Sequence, residues 1–412
     1  MPLKQTKLHL PKNVKELKGK AATGVSLHCH TQHSKEMLDF VPHYANKLPV
    51  ISYFWKREQV RYLARTGKRI DFSEAYWLPP LSEKQVYDIE TEQINEAGLD
   101  AIVSLTDHDR IDANLAISDV VANEAAPISM EWTVPYSYGF FHVGIHNIPN
   151  DDPDSVTEKL LEFTFVEESR KPGRLDELLQ MLTEIPGLLI VLNHPLWDIE
   201  LVGKERHREL LNGFLQDHGR WIHAFEVNGY RAWSENKAVI ELAEAWDIPL
   251  VTGGDRHGCQ PNTVINLTNA KSFAEFAEEV RVDKHTEVVL MPEYKAPLHS
   301  RQLQSFSEIL KYYPEFPEGR RRWFDRIHYD VLDGHGVRPV SVHWDRGGPA
   351  WLQAAVWTLG VVGQPKFRPF FRIFMKAEDR VPAEINLETF QIAEKDEDTS
   401  PTLTPGSVPG AP

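Results

Sequence analysis

Short apolar runs alternate with helical patterns along this chain, and most of these runs end in histidine or a carboxylate. The first run, "GVSLHCHT", ends in His28 and His30. The later runs end at or near Asp107, His108, Glu131, His194, Asp255 and His257. Strands that alternate with helices favour parallel βα units, whose strands are buried on both faces. Because the carboxyl ends of such strands share one rim in a βα barrel, we expect these side chains to meet in one pocket.

The pair His28 and His30 is the start of a metal site if the run is a strand. Residues two apart in a strand point to the same face, while Cys29 between them points away. Imidazole together with carboxylate suits Zn, Mn and Fe. A single His-x-His pair also occurs as hydrogen-bonded core histidines. The repetition of ligand-type residues at further strand ends favours metal binding.

Composition excludes several classes of function. The 412 residues carry a net charge of -15, and the clearest basic run, Arg320 to Arg322, is short, so we expect no nucleic-acid partner. No apolar run approaches the ~20 residues of a membrane span, and the N-terminal residues do not resemble a signal peptide. With only Cys29 and Cys259 there is no disulfide framework. We therefore expect a cytoplasmic protein without a membrane partner.

Five motifs occur in an order that resembles a known family. They are "SLHCHTQHS", "NEAGLDAIVSLTDHD", "ISMEW", "LIVLNHP" and "VTGGDRHG". Together they resemble the polymerase and histidinol phosphatase (PHP) superfamily of metal-dependent phosphoesterases over residues 22–300. The resemblance implies an α/β fold, a distorted seven-stranded (β/α)7 barrel with divalent ions at its carboxyl rim. It also implies phosphatase chemistry, in which a hydroxide that bridges two ions hydrolyses a phosphate ester.

The resemblance also implies a set of metal ligands. These are His28, His30, His108, Glu131, His142, His194, Asp255 and His257. Glu131 would bridge a first ion, held with His28, His30 and Asp255, to a second ion held by His194 and a histidine of "FFHVGIHNI". His142 is the preferred histidine of that segment, and His146 is the alternative.

The third ion position departs from the family pattern. Many relatives have an aspartate where this chain has Lys35, and an ammonium group cannot bind a metal. We therefore expect two bound ions, of Mn, Zn or Fe. Three are expected only if His33, Glu36 or Asp39 replaces the missing ligand.

Further residues are candidates for catalysis. His108 or His257, if left free by a vacant third position, would act as general acid, because imidazole titrates in the useful range. Asp107 would orient a ligand through its carboxylate, or hold the turn at the end of its strand.

Three residues are candidates for substrate binding. Lys35 and Arg256 would contact the phosphate of a small phosphorylated substrate, and Glu226 would bind a hydroxyl group or orient a ligand. For Lys35 and Arg256 the alternative is an ordinary solvated side chain, which is common for lysine and arginine in loops.

The sequence divides into four segments. Residues 22–300 form the predicted barrel, and residues 36–80 interrupt it with an aromatic and basic insertion. Long insertions at a catalytic rim often act as lids, but an interaction surface or a self-packed insert fits as well. Residues 301–380 are predicted to be a mainly helical extension, and the composition of 381–412 is typical of disorder. The sequence does not determine the oligomeric state, and a homo-oligomer is one alternative.

Two other functions remain open at this point. A metal-dependent hydrolase of a C–N bond would use similar histidines, but it commonly has a lysine as the bridging ligand, where this chain has Glu131. A non-catalytic binding module is the third alternative. Against it, buried imidazoles and carboxylates are costly to gather at one rim without a use.

Overall fold

The computed structural model describes residues 6–39, 41–47, 49–122, 125–344 and 346–382. Apart from its first two positions, the segment 381–412 that we predict to be disordered lies outside the described residues. Within the described ranges, no helix has both the length and the apolar character needed to cross a bilayer.

The strands are short. They are β1 Thr6–His9, β2 Thr23–Cys29, β3 Glu36–Met37, β4 Tyr76–Trp77, β5 Asp100–Leu105, β6 Ser129–Tyr136, β7 Gly139–His146, β8 Leu189–Leu192, β9 Ala224–Asn228, β10 Leu250–Gly253, β11 Val264–Thr268, β12 Thr286–Leu290, β13 Ile327–Tyr329 and β14 Arg338–Pro339.

Helices follow most of the strands. They are α1 Val41–Lys47, α2 Pro49–Thr66, α3 Glu83–Glu96, α4 Asp112–Ser118, α5 Pro153–Phe165, α6 Arg174–Thr183, α7 Ile199–Val202, α8 Lys204–His218, α9 Trp233–Trp246, α10 Phe273–Arg281, α11 Leu298–Ile309, α12 Ala350–Val362 and α13 Arg368–Ile373. Short 3-10 turns occur at Val14–Leu17, Glu167–Ser169, Gly219–Trp221, Pro292–Lys295, Trp323–Asp325, Val340–Val342, Pro365–Phe367 and Ala377–Asp379.

The prediction of a distorted seven-stranded (β/α)7 barrel is wrong. The described strands form two mixed sheets, with the orders β1-β12-β11-β2-β5 and β10-β9-β8-β7-β6, and one antiparallel sheet, β14-β13-β4-β3, and no closed barrel is found among them. The physical reason is that several strands run antiparallel. β6 and β7 form a hairpin in which Tyr136 pairs with Gly139, and β11 is antiparallel to both β2 and β12.

The two five-stranded sheets nevertheless bring their strand ends together. β10 of the second sheet contacts β2, β11 and β12 of the first. At the other edge, the Glu131 amide of β6 donates to the Asp107 carbonyl, and the Asp109 amide donates to the Glu131 carbonyl. The end of β5 therefore lies beside β6, and residues distant in sequence share one site.

The start of α3 is stabilised by a capping box. The Gln85 amide donates to the Ser82 hydroxyl, and the Ser82 amide donates to the Gln85 side chain, so two otherwise unpaired donors are satisfied. Gly98 follows the helix with φ +77°, a conformation that glycine adopts without strain. Capping of this kind fixes where the chain leaves the helix to enter β5.

The third sheet joins the insertion to the C-terminal extension. β3 and β4 come from residues 36–80, while β13 and β14 come from residues 301–380. Ile327 of β13 pairs with Trp77 of β4, and Glu36 of β3 pairs with the same residue from the other side. The extension thus contains strands as well as the predicted helices.

Candidate metal centre

Histidines and carboxylates from both large sheets and from the third sheet meet in one buried cluster. This candidate metal centre consists of His28, His30, Glu36, His108, Glu131, His142, His194, Asp255 and His257. Every metal ligand implied by the family resemblance lies in it, together with Glu36. The predicted convergence of strand ends therefore takes place without a closed barrel.

Glu131 is the central carboxylate of the cluster. Its Oε2 atom lies 3.1 Å from His28 Nε2, 3.5 Å from His30 Nε2 and 3.3 Å from His108 Nδ1. Its Oε1 atom lies 3.0 Å from His194 Nε2 and 3.5 Å from His142 Nδ1. One oxygen faces one set of imidazoles and the other oxygen faces a second set, which is the arrangement that a bridging carboxylate requires.

Glu36 is a second carboxylate within the cluster. Its Oε2 atom lies 3.1 Å from His257 Nε2 and 3.4 Å from His108 Nε2, and its Oε1 atom lies 3.6 Å from His30 Nδ1. The Ser34 hydroxyl donates to Oε1 at 2.6 Å. Of the residues considered as a replacement for the missing aspartate, Glu36 is therefore the one that the structure places among the histidines.

Asp255 lies on the opposite side of His30. Its Oδ1 atom is 3.5 Å from His30 Nε2 and 3.8 Å from His28 Nε2. The Asp255 carbonyl oxygen lies 2.9 Å from His257 Nδ1. This contact favours a proton on Nδ1 of His257 and leaves its Nε2 atom to face Glu36.

Several imidazole and carboxylate atoms of the cluster make no well-formed hydrogen bond within the described part of the chain, although His28 Nε2 and Glu131 Oε2 lie 3.1 Å from each other. They are His28 Nε2, His30 Nε2, Glu131 Oε2, His142 Nδ1 and His194 Nδ1. Buried polar atoms without partners are costly, so a native structure needs a reason for each of them. Divalent ions bound by these atoms would supply that reason.

The distances between donor atoms also fit bound ions. Within each of four groups the donor atoms lie within 4.8 Å of one another: His28, His30 and Glu131; His28, His194 and Glu226; His30, Glu36 and His257; and His108, Glu131 and His142. Imidazole and carboxylate are donors that Mn, Fe and Zn accept. The residues present therefore fit a centre of more than one divalent ion.

The charges of the cluster are strongly coupled. Burial acts to raise the pKa of Glu131, but the imidazoles of His28, His108 and His142 hold it well below its usual range. Burial acts to lower the pKa of His108, but Glu131 and Glu36 raise it to about 10. Without cations the carboxylates thus draw protons onto some of the histidines, a role that bound metal ions would take over.

Three residues of the cluster have left-handed backbone conformations. The φ angles are +64° at His28, +25° at His194 and +51° at Asp255. Such angles are strained for residues other than glycine and are concentrated at functional sites. At His28 the register of β2 against β5 shifts between Ser26 and Cys29. The rings of His28 and His30 nevertheless lie 5.0 Å apart, so the two imidazoles are neighbours, as the His-x-His spacing predicts.

Glu226 supports two of the histidines from behind. His28 Nδ1 lies 2.6 Å from its Oε1 atom, and the His194 amide donates to its Oε2 atom at 2.9 Å. The Asn228 side chain also donates to Oε2. A β-carbon at Gly253 would overlap this carboxylate, so glycine is required there. These contacts correspond to the predicted role of orienting a ligand, whereas the predicted contact of Glu226 with substrate stays a prediction.

Asp107 holds the chain after the second histidine. Its two carboxylate oxygens accept from the amide and the hydroxyl of Thr31, each at 2.6 Å. Burial raises the pKa of Asp107 to about 6. Because Thr31 directly follows His30, these bonds fix where the His30 ring enters the cluster.

The structure places three other candidate residues outside the cluster. Arg256 is buried, and its Nε atom donates to Glu90 at 2.6 Å. Lys35 is exposed, with its ammonium 5.1 Å from the centre of the Tyr76 ring. His146, the alternative to His142, lies further along β7, 2.8 Å from the Ser104 hydroxyl. Of the two β7 histidines, His142 is thus the one that faces Glu131.

Asn193 and Arg231 lie close to the cluster but are not among the site residues predicted from the sequence. The Asn193 side chain donates to Glu131 Oε1 at 3.0 Å. Arg231 Nη2 lies 3.9 Å from Asp255 Oδ2, and the Arg231 side chain is 24% exposed. Arg231 follows strand β9 by a few residues, so its place after a strand end is the signal that could have identified it.

Known proteins similar to this chain are found among solved structures. No family model and no curated protein matches the sequence. One similar solved structure is a two-domain protein from Bacteroides vulgatus that contains a predicted PHP-like metal-dependent phosphoesterase. It is 12% identical, with a TM-score of 0.34, over 69% of this chain and 68% of that one.

Two further solved structures are similar to smaller parts of the chain. A candidate metal-dependent phosphoesterase from Bifidobacterium adolescentis is 16% identical, with a TM-score of 0.29, over 50% of this chain and 93% of that one. An amidohydrolase from Chromobacterium violaceum, with bound sulfate and no metal, is 14% identical, with a TM-score of 0.27, over 43% and 83%.

Proposed function

We propose that this chain is a metal-dependent hydrolase that cleaves phosphate esters of a small molecule. The observation that carries the proposal is a set of buried imidazole and carboxylate atoms in the cluster of Glu131. These atoms make no well-formed hydrogen bond within the described residues and are close enough to one another to bind metal ions. Glu131 would bridge two ions, and Glu36 with His257 would offer a third position. We therefore propose two or three ions of Mn, Zn or Fe.

Divalent ions held there would supply Lewis acidity, which makes water acidic enough to attack near neutral pH and offsets charge on phosphate oxygens. Other residues of the chain orient the metal-binding side chains even when no ion is bound. Glu226 accepts from His28 Nδ1 and so keeps Nε2 of that ring aimed at Glu131. If only two ions bind, we propose that His257 protonates the leaving oxygen from Nε2, because its Nδ1 atom contacts the Asp255 carbonyl and Glu36 Oε2, 3.1 Å from Nε2, favours a proton on that nitrogen.

Arg231 supports a phosphate substrate in preference to an uncharged one. Its guanidinium lies beside Asp255 at the partly exposed edge of the cluster. A guanidinium is a planar donor that matches the oxygens of a phosphate group. Trp197 stacks on His142, and Trp77 lies 5.7 Å from His257. We propose that these aromatic rings contact the part of the substrate that does not carry phosphate.

The test combines metal analysis with a substrate screen. Protein purified without chelator would be analysed for metal content and then assayed for phosphate release from sugar phosphates, nucleotides and polyol phosphates. We expect about two or three ions per chain. In the variant His142→Gln we expect loss of metal and of phosphate release.

His146→Gln is the matched control, because His146 is the other histidine of the same strand and is buried, whereas His142 is 14% exposed. It should keep both metal and activity. Absence of bound metal, even after Mn and Zn are added, would refute the proposal. Metal-dependent release of ammonia from amides without phosphate release would instead indicate a hydrolase of C–N bonds.

A further inference from the structure

A helix near the C-terminus has an unusual apolar surface. α12 contains no charged residue, and none of its residues is fully buried. Trp357 in its middle is 71% exposed. A helix that is apolar on all sides is normally covered, either by the protein core or by another apolar phase. Within the described residues α12 packs mainly on α11, and its exposed positions are Ala350, Gln353, Ala354, Trp357 and Thr358.

The next helix, α13, packs on α11 as α12 does, and it also exposes large apolar side chains and carries positive charge. Phe370, Ile373 and Phe374 are all largely exposed, with Ile373 at 77%. Cations alternate with them in the sequence "KFRPFFRIFMKAEDR", which has Lys366, Arg368, Arg372, Lys376 and Arg380 against Glu378 and Asp379. This local excess of cations stands out in a chain whose net charge is -15.

Helix α2 of the insertion lies against the same region. The ring of Phe54 stacks on Trp351 of α12, with 5.6 Å between the ring centres and 7° between the planes. Tyr53, Val60 and Leu63 of α2 are exposed, and their spacing of seven and three residues puts them on one side of the helix. Lys56, Arg57 and Arg61 are exposed on the same helix.

We infer that α2, α12 and α13 form a peripheral docking surface for a bilayer with anionic lipids, called the apolar-basic surface below. Aromatic side chains that enter the headgroup region, flanked by arginine and lysine, are what an interfacial membrane surface requires. An anionic bilayer would repel most of this acidic protein, so its charge would orient the protein with the apolar-basic surface toward the lipid. This inference replaces the expectation from the sequence that the chain has no membrane partner, because that expectation depends on the lack of a spanning run and peripheral binding needs none.

A second copy of the chain is the competing occupant, and the charges disfavour it. In a twofold symmetric contact the same surface patch lies on both subunits. Arg368, Arg372 and Lys376 would then face a patch that carries the same cations. Like charges brought together in an apolar contact oppose association. Lys376 has one anionic neighbour, Glu378 at 3.3 Å, and Arg368 donates to the uncharged Gln304 side chain, so anionic headgroups would add the opposite charge that most of this patch lacks.

Vesicle cosedimentation of the full chain tests the inference. We expect binding to vesicles in which about a third of the phosphatidylcholine is replaced by phosphatidylserine, weak binding to pure phosphatidylcholine, and release at high salt. The variants Lys366→Glu with Arg372→Glu, and Ile373→Ser with Phe374→Ser, should each lower the partition coefficient about tenfold or more.

Matched controls use exposed residues far from this surface in sequence. Lys159→Glu with Lys171→Glu makes the same change in net charge, and Phe165→Ser removes another exposed aromatic ring. Both should bind like the parent, and circular dichroism should report the same helix content for every variant. Equal binding to neutral and anionic vesicles, no binding to either, or a dimer in light scattering that Ile373→Ser with Phe374→Ser dissociates would each overturn the inference.

Discussion

The substitution Glu226→Gln tests whether the metal centre depends on the groups behind it. Glu226 is buried, and its two oxygens contact His28 Nδ1 and accept from the His194 amide and the Asn228 side chain. Glutamine has nearly the same shape but only one acceptor atom. If its oxygen still accepts from His28, its NH2 group must face the amide of His194, which is also a donor.

The expected magnitude follows from these contacts. The His194 amide loses its acceptor, and a buried unsatisfied donor costs about 1–3 kcal/mol of stability. Asn228 loses less, because its side chain also reaches Asp255 Oδ2 at 3.3 Å. Removal of a group that orients a metal ligand typically lowers metal affinity by about 10–100-fold. We expect a dissociation constant for Mn or Zn that is higher by that factor, with a parallel loss of activity at limiting metal.

Metal affinity would be measured by competition with a chromophoric chelator, and stability by urea unfolding of the metal-free protein. Glu308→Gln is the matched control. Glu308 accepts from a backbone amide, that of Cys259, and from the side-chain amide of Gln260, but it contacts no histidine of the cluster. It should lose stability and keep its metal affinity. A Glu226→Gln variant that binds metal as tightly as the parent would refute the reasoning.

The remaining predictions concern the third ion, acid stability and backbone space. Glu36→Gln should lower the metal content by about one ion per chain in elemental analysis, whereas Asp39→Asn, at an exposed carboxylate, should not. Burial lowers the pKa of His146 to about 3. The unfolded chain therefore binds a proton at this position that the folded chain cannot, so His146 should contribute a loss of about 2 kcal/mol of stability between pH 7 and pH 5. In urea unfolding of the metal-free protein, the stability change of His146→Gln over this range should differ from that of the parent by that amount. Gly253→Ala should displace the Glu226 carboxylate and weaken metal binding about tenfold or more in the chelator assay.

The local elements and the members of the cluster follow from the sequence. Periodicity and capping residues predict α3, α6, α9 and α10 to within a few residues. Positions at strand ends predict that His28, His194 and Asp255 converge, because the strand ends of βα units share an edge. These features depend on short stretches of chain, whose preferences can be read without knowing the tertiary structure.

Strand direction and register could not be obtained in the same way. β7 and β11 are apolar runs like the parallel strands, but their neighbours pair with them in antiparallel register. When a strand is buried on both faces, its apolar run has no periodicity from which parallel or antiparallel pairing with its neighbours can be predicted. The left-handed conformation of His28 likewise depends on the shifted pairing of β2 with β5, which is a contact between distant segments.

Glu36 shows why the third carboxylate had to remain one of several candidates. Its position depends on the pairing of β3 with β4, and β4 in turn pairs with β13 from the C-terminal extension. Glu36 also hydrogen-bonds to Ser34, whose hydroxyl accepts from the His108 amide. The carboxylate that faces His257 is thus held by a sheet whose strands are separated by most of the chain length. Loss of the pairing between β13 and β4 should therefore weaken metal binding first at the third ion position, beside Glu36. The ligands around Glu131 are held by the two large sheets and should keep their places.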